Sequence, residues 1–264
     1  MIVAEEKSYK IHQHFSKIAD KYHQIRTTDV DPIKFIVRRI RNLKHIKAID
    51  VGCGDGRYDL LLYKYLGSKL RLTCADSNPD MLNSLVKNLT NHGIADFNAV
   101  NYFAETITSQ DNIYDCVFTF NAIHHFNLRG FLSESARILK AGGYIFIYTR
   151  LRDQNRRSIW GRYFPFFHHK ETRLFTLDKL VRTIKEVPGL HLKTFEFFKY
   201  GRKSNLKQLV EQARSYHYST FDLYSSQEFE EAIKGFTGNI RATFKNDKNV
   251  HWFDENLLLV VNKE

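Results

Sequence analysis

The feature that most constrains this chain is a strand-like stretch that ends in three glycines at alternate positions, Asp50-Val51-Gly52-Cys53-Gly54-Asp55-Gly56. Apolar residues typical of a buried strand precede the glycines, and leucines at helical spacing follow them. Glycine permits backbone dihedrals that other residues resist, and it lets the backbone approach a ligand closely. The stretch therefore predicts a strand, a tight ligand-binding turn and a helix N-terminus.

The spacing of the glycines bears on which ligand this loop binds. Dinucleotide folds carry Gly-x-Gly-x-x-Gly, whereas here the third glycine, Gly56, comes one residue earlier. Asp50 stands two residues before the first glycine, Gly52. A carboxylate at this position suits an ammonium group and repels a pyrophosphate, while the free N–H groups of the helix suit a carboxylate or phosphate. The alternative interpretation is a glycine-rich turn without a ligand.

The pattern Asp-x-Gly-x-Gly-x-Gly resembles the first motif of the class I S-adenosylmethionine-dependent methyltransferases, in which the loop wraps the methionine end of the cofactor. The resemblance implies that Asp50, Gly52, Gly54 and Gly56 bind S-adenosyl-L-methionine. It also implies an α/β fold, a doubly wound Rossmann-like sheet of seven strands with the last strand antiparallel. Helical cap insertions are expected to interrupt this fold.

An acid ends the second predicted strand, Leu70–Asp76, and Asn78-Pro79 then opens a helix. The resemblance implies that Asp76 accepts hydrogen bonds from both ribose hydroxyls, a role that dinucleotide folds share. The alternative is that Asp76 only caps the turn. Met81, in the first turn of the helix, is predicted to pack either on the adenine or in the core.

The third strand, from Phe97 to Tyr102, leads into Phe103-Ala104-Glu105. The resembling family usually has Gly-Asp-Ala-Glu here, and its aspartate accepts a hydrogen bond from the adenine amino group. This chain has Phe103 at that place, and a phenylalanine side chain cannot accept that hydrogen bond. The remaining candidates for a contact with the adenine are the backbone N–H of Ala104 and the side chain of Glu105.

The fourth strand, Tyr114 to Asn121, is followed closely by His124 and His125. Ligands of open α/β sheets lie outside the carboxyl ends of the strands, so Asn121 is expected to face the sulfonium or the acceptor. Either histidine is a candidate general base because histidine titrates near neutral pH. Adjacent histidines cannot both face inward from a regular element, and a structural, hydrogen-bonded role is the alternative. The sequence from Asn121 to Phe126 lacks the Asn-Pro-Pro-Tyr motif that marks methylation of nucleobase and glutamine amino groups in the resembling family. This absence argues against that kind of acceptor.

The N-terminal segment is predicted to be a lid helix over residues 1–30, because residues 8–26 have one apolar face at helical spacing. Its sequence is similar to the N-terminal segment of methyltransferases of the ubiquinone and menaquinone biosynthesis group, where that segment lies over the cofactor mouth. The resemblance implies that Tyr22 and Arg26 contact the cofactor; the alternative is ordinary helix packing.

The methyltransferase domain is predicted over residues 31–264, with cap insertions at about residues 150–175 and 202–237. The first insertion is aromatic and basic without clear periodicity. Aromatic rings and arginines can stack on planar acceptors and pair with carboxylates or phosphates; the alternative is a hydrophobic lid. The remaining strands are predicted at Tyr144–Thr149 (after a turn at Ala141-Gly142-Gly143), Leu190–Tyr200 and Asn256–Val261.

Charge and composition leave several partners open. The chain has 264 residues and a net charge of +11, which fits nucleic acid, anionic lipid, an acidic substrate or a solvated surface. No apolar run approaches the ~18 residues of a membrane span, and the N-terminus is too acidic for a signal peptide, which favours a cytoplasmic location. The three cysteines lack Cys-x-x-Cys spacing and no metal-cluster spacing accompanies the histidines, so no metal site is predicted.

The sequence thus predicts methyl transfer from S-adenosylmethionine to a small-molecule acceptor, aromatic or anionic in nature. An RNA or protein methyltransferase is the alternative; the net charge favours it and the absence of an appended RNA-binding module disfavours it. A third hypothesis, motivated by Phe103, is a non-catalytic regulatory protein that binds the cofactor.

Overall fold

A computed structural model describes residues 13–264, with the exception of the side chains of His23 and Gln24. Its seven-stranded sheet has the strand order β3-β2-β1-β4-β5-β7-β6. Strands β1 to β5 pair in parallel, and β7 runs antiparallel to β5. The predicted Rossmann-like sheet with an antiparallel last strand is confirmed. The strands are β1 (Ile46–Val51), β2 (Leu70–Asp76), β3 (Phe97–Asn101), β4 (Tyr114–Phe120), β5 (Leu139–Thr149), β6 (Leu190–Ser204) and β7 (Val250–Lys263).

Helices alternate with the parallel strands, as a doubly wound sheet requires. Short 3₁₀ helices cover Ala19–Lys21, Gly67–Lys69, Ile123–His125 and Ser219–Leu223. The α-helices of the described residues are α1 (13–18), α2 (Tyr22–Ile25), α3 (Asp31–Ile40), α4 (Arg57–Leu66), α5 (Pro79–Asn91), α6 (Leu128–Ile138), α7 (Arg152–Arg157), α8 (Ile159–Tyr163), α9 (Phe167–Lys170), α10 (Leu177–Lys185), α11 (Leu206–Arg214) and α12 (Ser226–Thr243). The part of the predicted lid that precedes residue 13 lies outside the described residues. No helix in the described range has the length and apolarity that a membrane crossing needs.

The described residues divide into two compact units. The first unit contains residues 13–26, Arg150–Leu174 and Lys199–Asn256, and the second contains Thr27–Thr149, Phe175–Phe198 and Leu257–Glu264. Each unit has its own core. The roles of lid and cap stay predictions.

The core of the first unit is largely aromatic. Trp160 of α8 is 3% exposed, and its ring stacks on Phe236 of α12 with 5.2 Å between ring centroids. Phe164 and Phe221 complete this cluster, with ring centroids 5.0 Å apart. The aromatic residues of the predicted first insertion therefore serve partly as a core, in line with the alternative of a hydrophobic lid.

The core of the second unit lies on both faces of the parallel strands, because helices cover both sides of such a sheet. Ile49 of β1 and Phe118 of β4 are completely buried, and so are Cys74 and Cys116. All three cysteines are free thiols, and Cys53 is also buried.

The predictions for three strands, β5, β6 and β7, are wrong at their ends. The sequence Ala141-Gly142-Gly143 is not a turn, because β5 already begins at Leu139. The pairing of β5 with β4 shifts register in this segment, and Gly142 adopts a φ of 79°, so the glycines form an irregular strand start. Strands β6 and β7 extend beyond the predicted Tyr200 and Asn256 because their extensions are partly exposed and lack clear apolar alternation.

Side-chain caps begin two of the helices. The side chain of Asn78, predicted to open a helix, accepts hydrogen bonds in the first turn of α5, and Ser225 and Glu228 form a capping box at the start of α12. Asp31 is the first residue of α3, so its carboxylate lies in the first turn of that helix.

Candidate cofactor-binding site

The predicted glycine loop connects β1 with α4, and its three glycines all adopt left-handed backbone conformations. The φ angles are 73° at Gly52, 59° at Gly54 and 77° at Gly56. The N–H of Gly52 donates a hydrogen bond of 2.8 Å to the carbonyl of Ala75 at the end of β2. Left-handed conformations are unfavourable for residues with a Cβ atom, so the alternate glycine spacing is needed to build this loop.

Gly52 is also required because of a close approach to the end of β4. A Cβ atom added at Gly52 would lie 2.5 Å from the Cβ of Ala122 and 2.9 Å from the ring of Phe126. The carboxyl ends of β1 and β4 therefore meet at this loop, where the strand order reverses. This is the place where open α/β sheets bind their ligands.

Asp50 lies at the end of β1 and is 1% exposed. Its Oδ1 atom has no hydrogen-bond partner among the described residues. Burial, the neighbouring Asp59 carboxyl and the more distant Asp76 raise the pKa of Asp50 well above its usual value, and Arg57 lowers it. A buried carboxylate beside a second carboxyl group is unfavourable, so a ligand that brings an ammonium group would stabilise it. This donor set fits the ammonium end of S-adenosylmethionine.

Asp59, on the first turn of α4, is a site residue that the sequence prediction missed. It is completely buried, and its carboxyl group lies beside the carboxyl group of Asp50 and the thiol of Cys74. Burial raises the pKa of Asp59 to about 7. The signal was present in the sequence, because Asp59 shares a helix face with Leu62 and Leu66 at spacings of three and seven residues.

The raised pKa of Asp59 predicts a specific dependence of stability on pH. The folded protein holds this proton up to a pH of about 7, whereas the unfolded chain releases it near the ordinary aspartate pKa of 3.8. The stabilising contribution is therefore fully present below pH 4 and is lost as the pH rises to 7. One pKa unit corresponds to about 1.4 kcal/mol, so Asp59→Asn is expected to be stabilised relative to wild type by a few kcal/mol at pH 8 and by less at pH 5.

Urea unfolding of both proteins at the two pH values measures this difference. The exposed Asp178 provides a control, because Asp178→Asn is expected to change stability equally at both pH values. Equal effects of Asp59→Asn at pH 5 and pH 8 would contradict the assignment of a buried, protonated Asp59.

Asp76 closes the loop from the end of β2. Its Oδ2 accepts a hydrogen bond of 2.9 Å from the N–H of Gly54, and its Oδ1 accepts one of 2.9 Å from the N–H of Asn78. The Asp76 carboxylate therefore caps the turn, as the second interpretation of this residue, a turn cap, predicts. Each carboxylate oxygen can accept a second hydrogen bond, so the predicted ribose contact is compatible with this arrangement and stays a prediction.

Asn121, directly after β4, adopts a left-handed φ of 55°. Its N–H donates to the carbonyl of Tyr148 at 2.7 Å, and its Nδ2 donates to the hydroxyl of Tyr58 at 3.4 Å. The Tyr58 ring in turn stacks on Phe120 with 4.5 Å between centroids. Strained backbone of this kind is frequent at functional sites, which agrees with a position of Asn121 at the ligand.

His124 and His125 lie in the 3₁₀ helix after β4, and both are half-buried. Their ring centroids are 4.1 Å apart, with an angle of 43° between the rings. The expectation that only one ring can face inward applies to a regular strand or α-helix and does not describe this tighter element. The role of either histidine as a general base stays a prediction.

The segment after β3 contains the residues predicted to contact the adenine. Ala104 is 5% exposed, and Met81 of α5 is 2% exposed. Phe103, which replaces the usual aspartate, is 60% exposed. The Oε1 of Glu105 accepts a hydrogen bond of 2.6 Å from the N–H of Asn127, before α6. Glu105 thus already stabilises the start of a helix, and the adenine contacts stay predictions.

Residues 27–29, ahead of α3, are held in the second unit by two contacts that the sequence did not indicate. The Nη1 of the buried Arg57 donates to the carbonyl of Thr27 at 2.5 Å. The hydroxyl of Tyr148 donates to Oδ2 of the buried Asp29 at 2.8 Å. Both contacts join residues far apart in the sequence, so no local pattern reveals them.

Tyr22 and Arg26 belong to the first unit. The Nη1 of Arg26 donates to the carbonyl of His217 at 2.9 Å, and its guanidinium lies 4.4 Å from the centroid of the Tyr218 ring. Burial and the nearby Arg26 charge lower the pKa of His217 to about 3. The Tyr22 ring contacts Phe15 edge-on. The contact of Tyr22 and Arg26 with the cofactor stays a prediction.

Comparison with known proteins decides the family. A family model described as a methyltransferase domain matches residues 48–143, which contain the glycine loop, Asp76 and the histidine pair. This part of the chain is a class I S-adenosylmethionine-dependent methyltransferase domain. S-adenosylmethionine is accordingly its cofactor, and methyl transfer is its reaction.

Similar proteins extend this match over most of the chain. A demethylmenaquinone methyltransferase from Staphylococcus haemolyticus is 27% identical over 220 residues, which are 78% of this methyltransferase and 86% of the relative. The structure of YcgJ from Bacillus subtilis is similar with a TM-score of 0.62 at 13% identity, covering 89% of this chain and 98% of the other. Geranyl diphosphate C-methyltransferase from Streptomyces coelicolor has a TM-score of 0.56 at 13% identity, covering 89% and 76%.

Proposed function

We propose that this methyltransferase transfers the methyl group of S-adenosylmethionine to a small-molecule acceptor that is aromatic or anionic. One observation carries the assignment of the cofactor site: three glycines with left-handed backbone stand between two carboxylates, the buried Asp50 and the half-buried Asp76. Asp50 binds the ammonium group of the methionine moiety, and Asp76 binds the ribose hydroxyls. The N–H groups of the loop and of α4 face the carboxylate of the same moiety.

The other residues of the second unit orient the cofactor and the acceptor. When bound, S-adenosylmethionine supplies a methyl group on a sulfonium for an in-line displacement. Met81, the N–H of Ala104 and Glu105 bind the adenine, and Asn121 orients the reacting groups at the end of β4. Positioning and exclusion of water supply most of the rate in such a reaction. His124 or His125 accepts a proton where the acceptor must lose one.

Two kinds of observation support a small acceptor. The relatives are named for a quinone and for a prenyl diphosphate, which are small molecules. We assign acceptor recognition to the first unit, which comprises the predicted lid and cap insertions and in which aromatic rings alternate with arginines, as between Arg150 and Leu174. Such side chains recognise flat rings and anionic groups.

Transfer of a radiolabelled methyl group tests the proposal. The purified protein is incubated with labelled S-adenosylmethionine and, separately, with demethylmenaquinol, geranyl diphosphate, sarcosine, total tRNA and a protein extract. We expect label in a small molecule and none in the polymers. Label only in RNA or only in protein would favour the alternative class of methyltransferase. Cofactor binding with no transfer to any of a broad panel of acceptors would favour a regulatory protein.

A further inference from the structure

The first unit contains a cavity of about 620 Å³ where the ends of strands β6 and β7 lie beside helices α7 and α8. This volume is within the usual range of pockets for small molecules, about 300–1,000 Å³. None of the predicted cofactor residues lines it. The lining residues that matter most here are Arg157, Arg162, Lys203, His251, Phe253 and Glu255.

The lining of this cavity is strongly cationic, with five lysines and arginines and one glutamate. Arg157 forms an ion pair with that glutamate, Glu255, so the carboxylate is already neutralised. Three further basic side chains of the lining form no ion pair or hydrogen bond within residues 13–264: Arg162, Lys203 and His251. The cavity therefore carries positive charge that no described acidic residue compensates.

Aromatic side chains form a second part of the lining. Phe253 is 56% exposed, and the Nζ of Lys199 lies 4.4 Å from the centroid of its ring. A Cβ atom at Gly201 would lie 3.8 Å from this ring, so the ring packs beside the backbone of β6 at van der Waals distance. The rings of Tyr163 and Phe244 meet edge to face, with 5.6 Å between centroids. An exposed ring beside cations is a suitable platform for a flat organic group that carries negative charge.

We propose that this cavity binds a small phosphate ester with a flat, apolar organic part. Arg162, Lys203 and His251 bind the phosphate, because guanidinium and ammonium groups donate charge-assisted hydrogen bonds to its oxygens. The organic part packs on Phe253. The cavity volume favours a small ester over a polymer. This proposal does not rest on the identity of the methyl acceptor or on cofactor binding.

Calorimetric titration of the full chain with 1-naphthyl phosphate tests the proposal, with inorganic phosphate and 1-naphthol as partial ligands. We expect 1-naphthyl phosphate to bind at least about tenfold more tightly than either partial ligand. The reason is that it contacts both the cationic and the aromatic part of the lining, whereas each partial ligand contacts only one. Lys203→Glu is expected to weaken its binding at least tenfold. Phe253→Ser is expected to remove the preference for 1-naphthyl phosphate over inorganic phosphate. Both side chains are exposed, so the variants are expected to fold.

The matched control is Lys234→Glu, which makes the same change of charge at an exposed position of α12 outside the cavity. Equal weakening by Lys203→Glu and Lys234→Glu would overturn the proposal in favour of unspecific attraction. Tighter, steeply salt-dependent binding of a uridine decanucleotide at the same residues would overturn it in favour of single-stranded RNA. Binding of S-adenosylhomocysteine, measured on the same samples, is expected to be unchanged, so that failure of this proposal is distinguishable from failure of the proposed function.

Discussion

Asp76→Ala is expected to weaken the binding of S-adenosylhomocysteine at least about 100-fold. The carboxylate is the proposed partner of both ribose hydroxyls, and a hydrogen bond to a charged group contributes about 1.5–3 kcal/mol. Asp76 also accepts the N–H groups of Gly54 and Asn78, so its loss loosens the glycine loop as well. Calorimetric titration of the variant and the wild type measures the ratio of the two affinities.

Two further variants separate the ribose contact from the support of the loop. Asp76→Asn keeps one side-chain oxygen that can accept a backbone hydrogen bond, but it loses the charge, so intermediate binding is expected. Asp80→Ala changes an exposed carboxylate in the first turn of α5, and its affinity is expected to equal that of the wild type. An Asp76→Ala protein that is folded and binds within threefold of wild type would show that Asp76 only caps the turn.

Gly52→Ala is expected to lower the free energy of unfolding by about 2–5 kcal/mol and to abolish cofactor binding. A left-handed conformation costs a residue with a Cβ atom roughly 1–2 kcal/mol, and overpacking costs a further 1–3 kcal/mol. The overpacking is specific to this position, because the new Cβ would lie 2.5 Å from the Cβ of Ala122. Urea unfolding measures the loss of stability.

Gly142→Ala is the matched control, because Gly142 also has a positive φ, 79°, but a Cβ atom there would meet no atom within 4 Å. We expect this variant to lose only the roughly 1–2 kcal/mol of backbone strain and to bind the cofactor normally. Equal losses of stability in the two variants would contradict the close approach of β1 and β4 at Gly52.

The features that could be predicted from the sequence are those that a local pattern encodes. The strand before the glycines, the acid at the end of β2 and the caps of α5 and α12 each depend on residues close together in the chain. The doubly wound sheet follows from the alternation of strands and helices with a ligand loop after the first strand, whereas the seven strands and the antiparallel last strand are implied by the family resemblance. Residue 50 and residues 52, 54 and 56 therefore lie where the prediction put them, at the end of β1 and in the loop that follows it.

Features that depend on distant partners could not be predicted in this way. The contact of Tyr148 with Asp29 joins residues 119 positions apart, and Arg57 binds a carbonyl 30 residues before it. The left-handed conformation of Asn121 depends on the hydrogen bond to Tyr148 of the neighbouring strand. The exposed ends of β6 and β7 form because the two strands pair with each other. They bury no apolar face, so no sequence pattern predicts them.

The most direct test of this account is a crystal structure of the protein with S-adenosylhomocysteine. We expect the ligand in the loop from Gly52 to Gly56, with its amino group within ~3.2 Å of Asp50 and its ribose hydroxyls within ~3.2 Å of Asp76. A ligand bound elsewhere, or bound in the loop with its ribose out of reach of Asp76, would contradict the assignment of the site.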